Sequence, residues 1–366
     1  MPMDAMNNSI LQEDMAYIQD KMANPACFVG MKILITGCGG FIGFYLTHLF
    51  VHLKRQGHAY DKLLLLDTFR SGIPRWLSRL MREHQDIEVH TFDIARDSLE
   101  LVQDAESADY VFHMASIASP TFYRQFPVET IEANVMGLQR LLDFYKHRSL
   151  KGLLFFSSSE IYGDPDPNFI PTAESYWGHV ASIGPRACYD ESKRMGETLC
   201  YVYHHTFGMP VRVVRPFNNF GPGMSLTDRR LPADFALAVL QNEPIVIHSD
   251  GKPTRTFCYI ADAIDGYLRV LLHDEFDFFN IGMDGGELSV EQLAVIYREA
   301  AAELQGYTGD IRYTASPEKD YLLHNPSRRC PDLSKARVVL GYRPEIEVSE
   351  GVRRYLTFLQ EELISV

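Results

Sequence analysis

The stretch Gly37-Cys38-Gly39-Gly40-Phe41-Ile42-Gly43 decides the fold of this chain. It follows an apolar run at residues 31–36 and opens a second apolar stretch at residues 44–50. That order predicts a buried strand that enters a glycine turn and leaves it as a helix. The pattern is typical of a dinucleotide-binding unit, although an ordinary glycine turn between a strand and a helix has a similar composition.

Each glycine of this turn has its own physical role in the prediction. Gly37 permits the tight turn, Gly40 lets the backbone approach a pyrophosphate, and Gly43 lets the helix pack closely on the strand. The first helical residues, Phe41 and Ile42, then present free N–H groups and the positive end of the helix dipole to the phosphates. These five residues are therefore predicted to bind a cofactor.

The second predicted strand, at residues 62–67, favours NAD as that cofactor. It ends at Asp67, about 20 to 25 residues after the last glycine, where a carboxylate accepts hydrogen bonds from the adenosine ribose. Arg70 follows closely and leaves a 2′-phosphate open as an alternative. A solvated loop arginine is the simpler interpretation of Arg70.

Composition and charge narrow the class of protein. The chain has 366 residues, of which 46% are hydrophobic, so it has enough apolar side chains for one large domain or two modest ones. Its formal net charge of -13 argues against a nucleic-acid partner, and no block of like charge resembles a tail. An anionic substrate would therefore have to meet local arginines.

The cysteines and the apolar runs predict a cytoplasmic protein that binds no metal. The six cysteines form no C-x-x-C pair and no metal-ligand spacing, so free thiols in a reducing compartment are the simplest account. The pair His204-His205 fits a helix surface better than a metal site. The longest apolar runs are far shorter than a membrane span, and the N-terminus lacks the pattern of a signal peptide.

Residues 1–30 form a predicted N-terminal extension that contains a short amphipathic helix. Ile10, Leu11, Met15, Ile18 and Met22 recur at roughly helical spacing among polar residues. The apolar face of this helix would cover either its own domain or a neighbouring subunit. The alternative is a frayed extension without a function.

From residue 31 onward, strands and helices alternate. Predicted strands at residues 31–36, 62–67, 87–92, 109–114, 151–156 and 211–216 are separated by helices, including one at residues 128–147. The fold class is therefore α/β, with a Rossmann-type doubly wound parallel sheet as an NAD-binding domain at residues 31–220. A smaller C-terminal α/β substrate domain is predicted for residues 221–366, with some of its segments returning to the first domain.

Several predicted strands end in residues that suit a ligand site. Ligands bind at the carboxyl ends of the strands in such sheets. The third and fourth strands release Asp93 with Ile94 and Ala115 with Ser116 there, and the small residues leave room for a flat ring. A cluster of hydroxyl and carboxyl side chains, at residues 157–160, follows the fifth strand.

Tyr189 and Lys193 lie four residues apart on one predicted helix, so their side chains share a face. An ammonium group beside a phenol favours the phenolate and would lower the pKa of the tyrosine toward neutral pH. The pair would then provide a general base. The alternative is a surface contact without a catalytic role.

These motifs together resemble the extended short-chain dehydrogenase/reductase family. The resemblance rests on Thr36-Gly37-x-x-Gly40-x-x-Gly43, Ser158 at a strand end and Tyr189-x-x-x-Lys193, and it covers about residues 31–360. Within the family, the chain is most similar to UDP-glucuronate decarboxylases, which make UDP-xylose. The stretches at residues 176–179, 183–191 and 218–222 carry this closer likeness.

The resemblance implies a role for each candidate residue. Ser158 and Tyr189 would hold the sugar 4-hydroxyl, Lys193 would lower the pKa of the tyrosine and bind the nicotinamide ribose, and Glu160 would assist at C5. The implied cofactor contacts also include Asp93, Ile94 and Ala115. The implied contacts with a UDP-sugar substrate are Ser116, Asn218, Arg230, Arg255 and Arg329, with Arg255 and Arg329 near the diphosphate.

Two positions bear on which reaction this site would carry out. The 4,6-dehydratases of the family have an aspartate where this chain has Ser159, and a serine is a poor proton donor for expelling a hydroxyl. The decarboxylases have an arginine where this chain has Gly223, so Arg229 or Arg230 would have to replace its charge. Decarboxylation is the preferred interpretation, with 4-epimerisation and 4,6-dehydration as alternatives.

The resemblance also implies an assembly. Helices at about residues 128–147 and 189–207 would pair across a two-fold axis to form a homodimer. A non-catalytic NAD-dependent sensor on the same fold is the alternative of a different class. The presence of Ser158, Tyr189 and Lys193 speaks against that alternative.

Overall fold

A parallel sheet made of seven of the fourteen strands forms the centre of the described chain. The structure is a computed structural model that describes residues 8–70, 72–316, 323 and 325–364. The strands are β1 (Lys32–Thr36), β2 (Lys62–Asp67), β3 (Ile87–Thr91), β4 (Tyr110–His113), β5 (Gly152–Phe156), β6 (Val211–Pro216), β7 (Asn219–Phe220), β8 (Ile245–Ile247), β9 (Thr254–Arg255), β10 (Cys258–Tyr259), β11 (Phe278–Ile281), β12 (Leu288–Ser289), β13 (Ile311–Tyr313) and β14 (Arg328–Arg329).

Helices cover both faces of this sheet and build the C-terminal part. They are α1 (Ser9–Lys21), α2 (Phe41–Arg55), α3 (Arg75–Glu83), α4 (Pro120–Gln125), α5 (Pro127–Ile131), α6 (Leu138–Tyr145), α7 (Ala187–Phe207), α8 (Leu231–Leu240), α9 (Ile260–Leu271), α10 (Val290–Gln305), α11 (Ser334–Leu340) and α12 (Val348–Ile364). No helix in these described ranges is long and apolar enough to cross a membrane.

The strand order β3-β2-β1-β4-β5-β6-β11 confirms the predicted fold class. The chain builds outward from β1 through β2 to β3, and then returns to β4 and builds in the other direction. A crevice for a ligand opens at such a reversal, here between β1 and β4. The last strand, β11, comes from the C-terminal part and pairs with β6. The proposed division of the chain at residue 220 stays a prediction.

The carboxyl ends of β1 and β4 are tied together by side chains. The hydroxyl of Thr36 lies 2.8 Å from Nδ1 of the buried His113 and accepts a hydrogen bond from the N–H of Ala115 at 3.2 Å. Burial lowers the pKa of His113 to about 3, so its ring is neutral. These bonds place Ala115 next to the glycine turn.

The predicted N-terminal helix is confirmed as α1, and it packs on its own chain. Leu11, Met15 and Ile18 are completely buried in the same core as α2, α9 and α12. Residues 1–7 of the predicted extension lie outside the described residues. The apolar face is therefore covered within the chain rather than left for a second subunit.

A buried carboxylate on α1 connects this helix to three distant elements. Asp14 accepts hydrogen bonds from the phenols of Tyr45 on α2 and Tyr259 in β10, at 2.7 and 2.6 Å, and from Arg354 on α12 at 3.0 Å. Burial raises the pKa of Asp14 to about 6, although all three partners oppose the rise. We call Asp14 with these three partners the Asp14 hub.

The predicted helix at residues 128–147 is not continuous. Helices α5 and α6 are joined by a π-helical segment, Glu132–Gly137. Inside it, Asn134 donates a hydrogen bond to Ser192 on α7, and Ser192 donates to the carbonyl of Tyr189. π-Helical segments of this kind occur frequently at functional sites.

Candidate active site

One cavity of about 1230 Å³ runs along the carboxyl end of the sheet, and every predicted site residue lines it. The glycine turn, α2 and the ends of β2 to β4 form one part of its wall. The ends of β5 and β6, the start of α7, β9 and β14 form another part. The predicted lining residues are Gly37, Gly40, Phe41, Ile42, Gly43, Asp67, Asp93, Ile94, Ala115, Ser116, Ser158, Glu160, Tyr189, Lys193, Asn218, Arg230, Arg255 and Arg329.

The glycine turn leaves no space for side chains where the chain enters α2. Gly37 has a φ of +75°, and a Cβ there would lie 2.9 Å from the backbone of Ala115. A Cβ on Gly43 would overlap the carbonyl of Cys38. Gly40 begins α2 without a side-chain cap, so the first N–H groups of this helix are open to the cavity.

Asp67 is held at the end of β2 by the backbone. Its two carboxylate oxygens accept hydrogen bonds from the N–H groups of Gly39 at 3.0 Å and Phe69 at 2.8 Å. Burial raises its pKa, and these two bonds oppose the rise. The guanidinium of Arg70 lies over the ring of Phe126 at 5.4 Å. Asp67 therefore offers fixed acceptor oxygens on the adenosine side of the crevice.

Tyr189 and Lys193 both enter the cavity from α7, but the expected lowering of the tyrosine pKa is wrong for this structure. Burial raises the pKa of Tyr189 to about 12, although a hydrogen bond with Ser158 favours the phenolate. The ammonium of Lys193 donates to the carbonyl of Phe156 at 2.7 Å and lies 5.7 Å from the centre of the Tyr189 ring. Burial also lowers the pKa of Lys193 to about 7, so its positive charge is easily lost.

Ser158 is positioned by a turn that directly follows β5. It begins the 3₁₀ helix Ser159–Tyr162, and its hydroxyl accepts a hydrogen bond from the N–H of Glu160 at 3.2 Å. The same turn buries Ser159 and directs Glu160 toward the cavity. Two predicted catalytic side chains are therefore positioned by one turn.

Glu160 lies between two arginines that come from distant parts of the chain. Both guanidinium nitrogens of Arg329 bind its carboxylate, one at 2.8 Å, and Arg186 at the start of α7 also binds it. Burial alone would raise the pKa of Glu160, but the two positive charges outweigh burial and hold its pKa well below the usual value. Glu160 is therefore an ionised acceptor near neutral pH.

A second carboxylate completes this group, which we call the Glu160 cluster: Glu160, Arg186, Asp190 and Arg329. Asp190 is buried, and its carboxylate lies 3.6 Å from Nε of Arg186. Burial and the negative charge of Glu160 raise the pKa of Asp190 to about 7. The cluster contains two acids and two guanidinium groups.

Arg255 lies beside this cluster with no carboxylate of its own among the described residues. It donates to the carbonyls of Thr254 at 2.7 Å and Pro326 at 2.5 Å, and to Asn325 at 3.4 Å. Burial and the nearby charge of Arg329 lower its pKa to about 9. A buried guanidinium without a matching negative charge favours an anionic ligand.

The structure explains why no side chain is present at Gly223. Its φ is +82°, and a Cβ there would overlap the ring of Phe44 on α2. Of the two arginines considered as substitutes, Arg230 forms an ion pair with Asp228 and its charge acts on Tyr189. Arg229 lies 3.8 Å from Asp234, and its side chain is 49% exposed. Arg230 is therefore the cation nearer the reactive phenol.

The remaining predicted substrate contacts also face the cavity. Asn218 donates to the carbonyl of Thr256 at 3.0 Å, which fixes its side chain between β6 and β9. The hydroxyl of Ser116 is buried and has no hydrogen-bond partner among the described residues. A buried hydroxyl without a partner is costly, so a ligand group is the expected partner of Ser116.

Comparison with known proteins identifies the family. The chain matches the NAD dependent epimerase/dehydratase family over residues 33–282. The chain belongs to this family. Its cofactor is therefore NAD, and the protein is an enzyme of this NAD-dependent kind.

Curated relatives of this family member include two decarboxylases. UDP-glucuronic acid decarboxylase 1 of Xenopus tropicalis is 35% identical over 336 residues, which cover 91% of this chain and 73% of the relative. UDP-glucuronic acid decarboxylase 5 of Arabidopsis thaliana is 34% identical over 330 residues, which cover 89% and 88% of the two chains.

Solved structures with a similar fold include epimerases. UDP-glucuronic acid 4-epimerase from Bacillus cereus, in complex with UDP-glucuronic acid and NAD, has a TM-score of 0.73 and 26% identity, with 90% and 99% of the two chains covered. UDP-glucose 4-epimerase from Thermotoga maritima has a TM-score of 0.76 and 25% identity, with 91% and 100% covered.

The residues present in this family member fit NAD. Gly40 leaves space at the turn, because a Cβ there would meet only the carbonyl of Gly37, and the start of α2 faces the same space. Asp67 offers carboxylate acceptors suited to a ribose, and Lys193 lines another part of the same cavity. The described residues contain no group of three or more metal-ligating side chains.

Sequence reasoning missed Arg186, Asp190 and Tyr123. Arg186, directly before α7, and Asp190 in its first turn are four residues apart, the same spacing that drew attention to Tyr189 and Lys193, so a signal for them was present. The Tyr123 ring stacks on Tyr189, with ring centres 5.0 Å apart and an angle of 13° between the planes. No sequence pattern identifies that contact.

Proposed function

We propose that this protein is a UDP-glucuronate decarboxylase that forms UDP-xylose through a transient oxidation at C4 of the sugar. The observation that carries the proposal is the Glu160 cluster with Arg255, which places three guanidinium groups beside Ser158 and Tyr189. A substrate with a diphosphate and a carboxylate needs such positive charge. The decarboxylases among the curated relatives support the choice of substrate.

Ser158 and Tyr189 would act on the sugar 4-hydroxyl. When bound, NAD supplies a hydride acceptor for C4 and a positively charged ring that favours the phenolate of Tyr189. The phenolate would accept the hydroxyl proton, and Ser158 would orient that hydroxyl. Both groups would then donate hydrogen bonds to the C4 oxygen while it carries negative charge.

The carboxylate of the sugar would leave as carbon dioxide from a position β to the C4 carbonyl, which delocalises the electrons left behind. C5 would then take up a proton from solvent, and return of the hydride to C4 would complete UDP-xylose. Glu160 has a pKa held well below its usual value, so it is unsuited to donate a proton at C5 by itself. We assign it the role of an ionised acceptor that orients the C5 side of the sugar. Arg230 would provide the cation for the substrate carboxylate, while Arg255, Arg329 and Asn218 would hold the diphosphate.

The absence of a side chain at Gly223 is compatible with this proposal. A side chain there would point into the ring of Phe44, so restoring an arginine at this position would not by itself add a charge to the cavity. The positive charge comes instead from Arg255, which has no carboxylate partner among the described residues, and from Arg230.

The decisive experiment is to follow the products of the NAD-loaded enzyme with UDP-glucuronate, UDP-glucose and dTDP-glucose by mass spectrometry. The proposal expects UDP-glucuronate to become lighter by one carbon dioxide. A product lighter by one water would indicate dehydration, against which Ser159 already argues. A product of unchanged mass and altered retention would indicate 4-epimerisation.

A 4-epimerase is the second candidate. The Bacillus cereus neighbour is a 4-epimerase that binds UDP-glucuronic acid, and it shares 26% of its residues with this chain. An epimerase would share the first oxidation and the same Ser158 and Tyr189 roles. The product assay separates the two candidates because only decarboxylation releases carbon dioxide.

We also propose that the enzyme is a cytoplasmic homodimer. The helices near the predicted two-fold axis carry exposed apolar side chains, at Val128, Ile131 and Met136 on one and Met195 and Val202 on the other. Such a surface favours burial against a second copy of the chain. All six cysteines are unpaired, which suits a reducing compartment. A monomeric mass in light scattering at micromolar concentration would contradict the dimer.

A further inference from the structure

Asp190 occupies an unusual position in the Glu160 cluster. It follows Tyr189 directly but does not line the cavity, and only 6% of its surface is exposed. One of its carboxylate oxygens and Nε of Arg186 are both buried without a hydrogen-bond partner among the described residues. The 3.6 Å between these two side chains is too long for a hydrogen bond.

The two acids of the cluster are held very differently. Glu160 accepts hydrogen bonds from both guanidinium groups, whereas Asp190 has only the loose contact with Arg186. With both acids ionised, the two negative charges balance the two positive charges. An anionic ligand that reaches Arg329 or Arg186 would leave excess negative charge in a buried space, and the acid with fewer bonds is the one that neutralises.

We propose that Asp190 is a positioning residue that takes up a proton from solvent when the sugar nucleotide binds, so that Arg186 can turn its charge toward the ligand. This inference rests on the proposed function, because the ligand is a UDP-sugar. The titratable and charged groups that act on Asp190 are Glu160, Arg186 and Arg329, and it acts in turn on Tyr123, Tyr189 and Cys188.

Proton uptake has a consequence for the pH dependence of binding. Proton uptake makes the affinity for UDP-glucuronate fall as pH rises above neutrality, by up to about tenfold for each pH unit. This sign agrees with a pKa of about 7 for Asp190 in the free protein, because the ligand would raise it further. UDP-glucuronate and UDP-glucose suit this test because neither titrates near pH 7.

The test is calorimetry of UDP-glucuronate binding to the NAD-loaded protein at about pH 7.5. The titration is carried out in two buffers of different ionisation enthalpy, which reports the number of protons taken up. Wild type should take up a large fraction of one proton, and Asp190→Asn should take up none. Glu191→Gln is the matched control, since Glu191 is the next carboxylate on α7 and pairs with Arg194 instead. This control should take up as many protons as wild type.

Other outcomes would overturn the inference. Equal proton uptake by wild type and Asp190→Asn would assign the proton to Lys193, a buried group that lines the cavity and also has a pKa of about 7. Binding without proton uptake in wild type would also reject it, while leaving the proposed function intact. Absence of binding to both UDP-sugars would reject the proposed function as well. If Asp190→Asn does not fold, the affinity of the wild-type protein for UDP-glucuronate between about pH 7 and 8.5 provides the test instead. An affinity that does not change over this range rejects the proposal.

Discussion

Glu160 and Asp14 are two buried acids in different regions of the molecule whose pKa values depart from the usual value in opposite directions. Glu160 is bound by two guanidinium groups and its pKa lies well below the usual value, although burial acts to raise it. Asp14 is bound by two phenols and one guanidinium, and burial raises its pKa to about 6. One additional positive charge therefore separates an acid that stays ionised from one that titrates.

The two acids have different roles in the molecule: Glu160 belongs to the candidate active site, whereas Asp14 holds elements of the core together. The Glu160 cluster faces the cavity and keeps its charges for a ligand. The Asp14 hub joins α1, α2, β10 and α12 in the core through hydrogen bonds from two phenols and one guanidinium. Mutations at the two places should therefore separate turnover from stability.

The largest expected effect comes from removing one phenol oxygen in each region. Tyr189→Phe should reduce turnover by about 10² to 10⁴, the usual range for loss of a general base, while NAD still binds. Tyr45→Phe removes the same atom beside Asp14 and should keep turnover near wild type but lower the free energy of unfolding by about 1 to 3 kcal/mol. Steady-state kinetics and urea unfolding of both variants measure this. Wild-type turnover in Tyr189→Phe would contradict the assignment of the base.

Replacing each of the two acids with its amide should change the free energy of unfolding by different amounts. Glu160→Gln should lower the free energy of unfolding by about 3 kcal/mol at pH 7, because Arg186 and Arg329 lose their shared counter-charge. Asp14→Asn should stay within about 1 kcal/mol of wild type at pH 7, since an amide oxygen still accepts from the phenols and Arg354 keeps Glu350.

The pH dependence of these two variants should have opposite signs. The contribution of Asp14 is complete below its usual pKa of 3.8 and is lost as pH rises through about 6, which corresponds to roughly 3 kcal/mol of stability relative to Asp14→Asn. The contribution of Glu160 is present above its usual pKa of 4.5 and is lost as pH falls. Urea unfolding from about pH 2.5 to 7 tests both signs, because the contribution of Glu160 is lost mainly below pH 4.5. Parallel curves would refute the comparison.

A smaller effect should distinguish Arg229 from Arg230, the two arginines that we consider as sources of charge in place of a side chain at Gly223. Arg230→Gln should weaken binding of UDP-glucuronate more than binding of UDP-glucose, by roughly 1.5 to 3 kcal/mol, if Arg230 meets the substrate carboxylate. Arg229→Gln is the matched control and should affect both ligands alike. Competition binding gives both values. Equal losses with Arg230→Gln, together with no carbon dioxide from UDP-glucuronate, would end the case for decarboxylation.

The smallest predicted effect concerns a third acid, the half-buried Asp67, which no guanidinium among the described residues binds. Asp67→Ala should weaken NAD binding by roughly 1 to 3 kcal/mol, because the ribose hydroxyls lose their acceptor. Its effect on unfolding should be less than its effect on NAD binding, since its protein partners are backbone N–H groups of Gly39 and Phe69. Calorimetry with NAD measures the change, and an unaltered affinity would place the adenosine elsewhere.

The sequence was sufficient to predict those features that depend on neighbouring residues. The glycine turn, the strands and the Tyr189–Lys193 spacing are local patterns, and the fold class followed from them. The Asp14 hub depends on residues 45, 259 and 354, which no local pattern connects. The same is true of Glu160 and Arg329, which meet across 169 positions.

The sequence also does not show how deeply each side chain is buried, and burial determines the pKa values of the site residues. The sequence places an ammonium near a phenol, but the pKa of Tyr189 depends on how much water the fold removes from it. In the structure burial dominates, and Lys193 is directed to the carbonyl of Phe156. The π-helical segment between α5 and α6 was missed for a related reason, because its Asn134 finds its partner on α7.

The contact between α1 and α12 has a consequence during protein synthesis. Asn8 donates to the carbonyl of Phe358, and the hydroxyl of Ser9 donates to Glu361, so the partners are separated by about the whole length of the described chain. A ribosome releases α1 long before α12 exists, and Leu11, Met15 and Ile18 remain without their final packing for that time. The nascent chain therefore carries an apolar helix that can pack on α2 and α9 as they are made, but that gains its contacts with α12 only after nearly all of the chain has been made.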